Sequence, residues 1–160
     1  MAILRQSIFL TVLGLAASQE LFCTAPSTFY IPLVKSNWYG AIEYCNRIGM
    51  RLAVVDSQRK QTEITQLAFG SHLFESDTEV TRADLWIGLN DLALEGRFIW
   101  HALGLGPVFT QWKKDEPNNL NQSEHCTHMW WQPTNNLFWD WNDDGCSREF
   151  NFVCENLKLA

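Results

Sequence analysis

Basic residues are scarce in this chain: 12 Lys and Arg stand against 18 Asp and Glu in 160 residues, a formal charge of −6. That balance argues against a nucleic-acid or anionic-membrane partner, since no stripe of Lys and Arg could neutralise a row of phosphates. Lys113-Lys114 is the only adjacent basic pair in the second half of the sequence and reads as a solvated edge. Long apolar runs are also missing. Ile8 to Leu15 is too short to span a bilayer, and no later stretch approaches about 20 apolar residues, so no membrane insertion is expected. No internal repeat, low-complexity tract or interdomain linker divides the chain, and its length supports one domain with a sizeable core. A nucleophile is lacking too: the four histidines accompany no paired Ser or Cys in a recognisable motif, which leaves no case for a hydrolase. The expectation is a protein that binds and does not catalyse.

What is present begins with an export signal. Arg5 gives a positive start, Ile8 to Leu15 is apolar, and Ala16-Ala17-Ser18 supplies small residues for cleavage. Residues 1–18 are therefore read as a signal peptide, 19–28 as an N-terminal segment and 29–156 as the folded domain, secreted to the extracellular space. Export puts the five cysteines in an oxidising compartment, where a disulfide framework is expected in place of redox or metal chemistry. Spacing alone leaves many connectivities open.

Along the domain, Ser36 or Asn37 can cap a helix with Trp38, Ala41, Ile42 and Cys45 on its buried face, ended by Gly49. Arg51 to Val55 reads as extended. Asp56-Ser57 then caps a second helix that turns Ile64, Leu67 and Ala68 inward before Gly70. After residue 84 the pattern changes to short strands: Leu85 to Leu89, Phe98 to His101, Thr127 to Trp131, Leu137 to Trp141 and Asn151 to Cys154, with a hairpin turn at Pro133 to Asn136. Between about 102 and 124, Gly, Pro and Asn dominate and periodicity disappears. Long ordered loops of this kind are usually functional.

That loop carries the most informative residues. Glu116-Pro117-Asn118, Glu124 and Asn142-Asp143 offer three carboxylates and two amide carbonyls within a short stretch, with Cys126 between them and Cys146 just after. Ca²⁺ is a hard cation that takes 6–8 oxygen ligands, so the set reads as a calcium site with positions left for the hydroxyls of a neutral polyol.

The combination closely resembles the carbohydrate-recognition domain of the C-type lectins, in particular the secreted single-domain lectins of invertebrates with a mannose-type Glu-Pro-Asn motif. The resemblance rests on Glu116-Pro117-Asn118, Glu124 two residues before Cys126, Trp141-Asn142-Asp143 before Cys146, Trp86-Ile87-Gly88-Leu89, and the closing Phe152-Val153-Cys154-Glu155. It covers residues 29–156. It implies an α+β fold of two helices against small antiparallel β-sheets, with a long irregular calcium-binding loop region. It implies disulfides Cys45–Cys154 and Cys126–Cys146, which leaves Cys23 over and available to link two chains. The metal ligands implied are Glu116, Asn118, Glu124, Asn142 and Asp143, of which Glu116, Asn118, Glu124 and Asn142 also contact sugar. Tryptophans such as Trp86 and Trp141 are implied to pack the fold and not to stack on sugar.

An auxiliary calcium site in some members draws on the positions of Asp91, Glu95, Asn119 and His125; Asp91 and Glu95 keep the pattern, while Asn119 and His125 stand where acids are usual. Asn121-Gln122-Ser123 is a glycosylation sequon. The expected partners are glycans on glycoproteins or on cell and microbial surfaces, in an innate-immune role. Mannose, fucose or N-acetylglucosamine is the favoured sugar class. Galactose, or a protein ligand bound without sugar, is the alternative.

Overall fold

The computed structural model describes residues 28–74 and 80–157. The proposed signal peptide and Cys23 lie outside the described residues.

Two helices form where caps and apolar spacing direct them. In α1 (Trp38–Arg47), the Asn37 side chain accepts from the Gly40 N–H, and Trp38, Ala41 and Cys45 are buried. Ser57 caps α2 (Gln58–Phe69) by accepting from the Lys60 N–H, and Ile64 and Ala68 point into the core. Leu67 is only partly buried, packed at the rim of the core. Gly49, at φ 74°, ends the first helix in a backbone region that a β-carbon disfavours.

Among the described residues, eight strands make two sheets. β1 (Phe29–Tyr30), β8 (Cys154–Asn156) and β2 (Met50–Leu52) form the first, in the spatial order β1-β8-β2. The second has the order β4-β3-β5-β6, built from β3 (Ala83–Asn90), β4 (Ile99–Trp100), β5 (Cys126–Gln132) and β6 (Leu137–Asp144). β7 (Asn151–Phe152) joins β3 as the one parallel pair among these strands. The fold is α+β, as expected, and the short β1 is an addition to the elements read from sequence. A two-residue strand carries too little periodicity to be recognised without its partner.

The sheets meet through Gly88, whose N–H donates to Ala53 O at 2.8 Å. A β-carbon there would come within 3.0 Å of Leu52 O and 3.1 Å of Ala53 O, so any other residue would have to push these backbone carbonyls back by a few tenths of an ångström. Trp38, Trp86, Trp100, Trp139 and Trp141 are all buried. Their indole N–H groups are bonded at three of these: Trp38 to Ile87 O, Trp86 to Ser36 O, and Trp141 to Gln61 Oε1.

Beneath the first sheet, Glu155 has no exposed side-chain surface and lies 2.8 Å from both Arg51 Nε and Lys60 Nζ, while also accepting from the Val54 N–H. The acid that closes the sequence motif therefore ties β8 to β2 and α2. A buried carboxylate is tolerated because it has two cationic partners.

Both expected disulfides form, Cys45–Cys154 over 109 residues and Cys126–Cys146 over 20. By chain-entropy reasoning, loops of these sizes contribute about 4.7 and about 3 kcal/mol.

Candidate functional site

The loop before β5 has little secondary structure, and rings and hydrogen bonds hold it to β6. Phe109 and Trp112 pack edge-on against Trp141, at centroid distances of 5.7 and 5.8 Å. On either side of Trp112, Trp141 N donates to Gln111 O and Lys113 N to Trp141 O. Edge-to-face pairs of this type contribute about 0.5–1.5 kcal/mol each beyond their buried area. Past Lys113 the chain turns, Glu116 N donates to Lys113 O, and the Glu116-Pro117 bond is cis. Asp115, Asn119, Asn121 and Gln122 have positive φ. Asn and Asp enter that region more readily than most residues, which is why this stretch can coil tightly without glycine.

Glu116, Asn118, Glu124 and Asn142 line one cleft, flanked by Lys113 and Trp130. Asp143 lies beneath it. Its two carboxylate oxygens accept from Asn118 N at 3.0 Å and Asn119 N at 2.9 Å, so this acid pins the loop that carries the Glu-Pro-Asn motif. Glu124 closes the far side: its Oε2 accepts from Leu120 N, and its own N–H donates to Asn119 Oδ1. All five residues singled out by sequence are thus drawn together by β6 and one loop.

The charges around the cleft are unevenly matched. Asp144 has Arg148 at 2.8 Å, and Asp84 has Arg82 at 2.7 Å. Both arginines line the cleft too but pair with these two acids, and Lys113 is the cation beside Glu116, 3.4 Å from its Oε1. The side chain of Glu116 is 4% exposed, and its Oε2 is buried without a hydrogen-bond partner. Burial pushes the Glu116 carboxyl above the ordinary carboxylate range, with Lys113 opposing and Asp143 adding to the rise. Burial likewise raises Glu124; the Leu120 N–H draws it back, and Asp144, Asp143 and Glu116 push it further up. A buried acceptor with no donor, among carboxylates that disfavour their own ionisation, is the donor set that a hard divalent cation satisfies.

Sequence reasoning missed the support below Asn142. His128, fully buried on β5, faces Asn142 across the β5–β6 ladder, and its Nε2 is 3.1 Å from Asn142 Nδ2. Its Nδ1 lies 3.2 Å from Asp84 Oδ1, off the line of a hydrogen bond. Burial favours a neutral Asp84, but His128 and Arg82 outweigh it, and the carboxyl is held below its ordinary range. His125, just before the start of β5, has separate partners.

Asp91, Glu95 and His125 converge elsewhere, with His125 Nδ1 3.1 Å from Asp91 Oδ1 and 3.4 Å from Glu95 Oε2. Asn119 does not join them through its carbonyl, which accepts from Glu124 N. Asn121 is exposed at the loop tip. Trp131 and Trp139 pack with the core, and Phe138 is 57% exposed. Among the described residues, no helix is long and apolar enough to cross a membrane.

The family model of the lectin C-type domain matches residues 34–156. The chain is similar to salivary C-type lectin 1 of Aedes albopictus, 41% identical over 142 residues covering 89% of each chain. It is similar to C-type lectin 16 of Aedes aegypti, 40% identical over 149 residues covering 93% of this chain and 94% of the other. In fold it resembles the carbohydrate-recognition domain of the mouse scavenger receptor C-type lectin, with a TM-score of 0.64 and 23% identity over 80% of this chain and 89% of that one.

Proposed function

This chain belongs to the family of C-type lectins, carbohydrate-binding proteins and not enzymes, and from that premise we propose that it binds glycans through calcium held in the Glu116 cleft. The observation that carries the reading is Glu116 Oε2, buried and unpartnered beside Glu124 and above Asp143. Glu116, Asn118, Glu124, Asn142 and Asp143 are the residues that would hold the ion. Calcium would supply a hard positive centre for two neighbouring sugar hydroxyls.

The residues do the rest. A Glu116 or Glu124 oxygen accepts from a sugar hydroxyl, and the Asn118 amide donates to one. Asn142 Nδ2, now directed at His128, serves the sugar by exchanging that contact for a hydroxyl. Asp143 keeps Asn118 and Asn119 in register from below.

The order Glu-Pro-Asn supports the mannose, fucose and N-acetylglucosamine class. Export of the chain and a role in recognising glycoprotein, cell or microbial surfaces in innate immunity complete the proposal, as do glycosylation at Asn121 and a disulfide-linked homodimer through Cys23. The first curated relative is named as salivary, which supports export. Retention on immobilised mannose in calcium, with release by chelator, is the expected result. Retention that persists in excess chelator overturns the calcium reading and favours a protein-binding or calcium-independent module.

A further inference from the structure

We propose that Asp91, Glu95 and His125 form a second metal site, selective for a borderline transition ion of the zinc class over calcium. The three side chains offer ligand atoms that all lie within 4.8 Å of one another. His125 Nδ1 is 3.1 Å from Asp91 Oδ1 and 3.4 Å from Glu95 Oε2. A tetrahedral zinc ion with bonds of about 2.0–2.1 Å sets its ligands roughly 3.3–3.4 Å apart, so the two separations from His125 are already near the edges of such a shell.

The donor types point the same way. Calcium wants six or more oxygens, and this locus has one nitrogen and two carboxylates. One carboxylate oxygen, Asp91 Oδ2, is taken by the Gly96 N–H at 2.7 Å. The Asn119 carbonyl that would add a further oxygen is bonded to Glu124 N. Imidazole with carboxylates suits zinc, cobalt and nickel, and three protein ligands with one position left for water meet a four-coordinate shell.

Outer contacts orient the set. The Gly96 bond fixes the rotation of Asp91, whose residue is 2% exposed, so that Oδ1 faces His125. Backbone bonds from Asp91 N to His125 O and from His125 N to Asp144 O hold the histidine in place. Such support is what keeps ligands in position before the ion arrives. Glu95, with a side chain 55% exposed, and His125, at 32%, leave a route from solvent. The site shares no ligand with the Glu116 cleft, so it stands or falls independently of sugar binding.

Cobalt titration of the full chain in saturating calcium tests it. One equivalent of Co²⁺ should give the strong visible bands of a four-coordinate ion, bleached by Zn²⁺ and not by further Ca²⁺. Glu95→Gln and His125→Gln should each weaken Co²⁺ binding at least tenfold, whereas His72→Gln should not. Glu95→Gln alters an exposed side chain, and an unchanged thermal melt in chelator serves as the folding control. A pale six-coordinate spectrum, bands bleached as readily by calcium as by zinc, or affinity unmoved by His125→Gln and Glu95→Gln would each overturn the proposal.

Discussion

Nδ2 of Asn142 lies 3.1 Å from Nε2 of His128, a residue with no exposed surface. With Nε2 as the acceptor, the ring proton sits on Nδ1, toward Asp84, and the amide of Asn142 is oriented from below by a group that never reaches the cleft. Partners one layer behind a metal ligand typically govern affinity by 10–100-fold. His128→Phe keeps a ring against Trp86 and Phe150 while removing the acceptor. Calcium affinity measured by calorimetry should fall by about tenfold or more, with both disulfides intact. Unchanged affinity would mean that Asn142 orients itself.

Asp143 is expected to matter more than a single ligand should. Asp143→Ala removes two charge-assisted bonds to the Asn118 and Asn119 N–H groups as well as a carboxylate. Bonds to charged groups contribute about 1.5–3 kcal/mol each, so the calcium-free protein itself should lose about 2 kcal/mol or more. Asn142→Ala should also abolish sugar binding; it leaves Nε2 of the buried His128 without a donor, a cost of about 1–3 kcal/mol, whereas Asp143→Ala unpins the loop as well. Thermal melts in chelator measure both losses.

The raised Glu116 and Glu124 carboxyls fix the sign of the pH response. Each favours the folded state when protonated; that contribution is present in full below the ordinary glutamate range and is lost as pH rises through the raised value. At neutral pH the calcium-free cleft is therefore a weak point that bound calcium would relieve. The rise in melting temperature on adding calcium should be largest at neutral pH and shrink on acidification, beginning above the ordinary carboxylate pKa of about 4.3. An equal rise at neutral and mildly acidic pH contradicts this.

Sugar choice should follow which side of the cleft donates and which accepts. Glu116→Gln with Asn118→Asp exchanges those roles without changing ligand count or charge. Competition assays should move from mannose toward galactose. A parent protein that already prefers galactose would transfer the decision to other groups around the cleft.

A monosaccharide held mainly through two hydroxyls binds at about millimolar Kd, too weakly to retain a cell surface. Pairing two domains can raise avidity by roughly 10²–10⁴. Non-reducing electrophoresis should therefore reveal a dimer that Cys23→Ser abolishes. A monomer unaffected by the substitution excludes the covalent link.

The helices were legible because Asn37 and Ser57 cap them locally and their apolar spacing is regular. The candidate ligands could be picked from sequence because calcium chemistry calls for those residue types whatever the fold, and the structure brings them to one cleft. His128 was not, and the reason is a β-bulge. Gln132 pairs with Leu137 and Trp131 with Phe138, a register that would carry His128 opposite Trp141. Trp139, at φ 70°, is skipped, Trp130 pairs with Asp140, and His128 meets Asn142. No alternation pattern announces a one-residue slip, and every cross-strand pair beyond it depends on it. The anchoring role of Asp143 was hidden for a related reason: its partners are backbone N–H groups, which any sequence supplies.

The strand order of the first sheet bears on biosynthesis. β8 is its middle strand, flanked by β1 and β2, and it comes from the last residues of the domain. As the chain emerges N-terminus first, Phe29–Tyr30 and Met50–Leu52 have nothing to pair with. Cys45 has no correct thiol to oxidise with, and Arg51 and Lys60 have no acid between them, until Cys154 and Glu155 arrive. The earliest third of the domain thus waits for its last three residues, and a chain cut short of Cys154 leaves Cys45 exposed to wrong partners for as long as it persists.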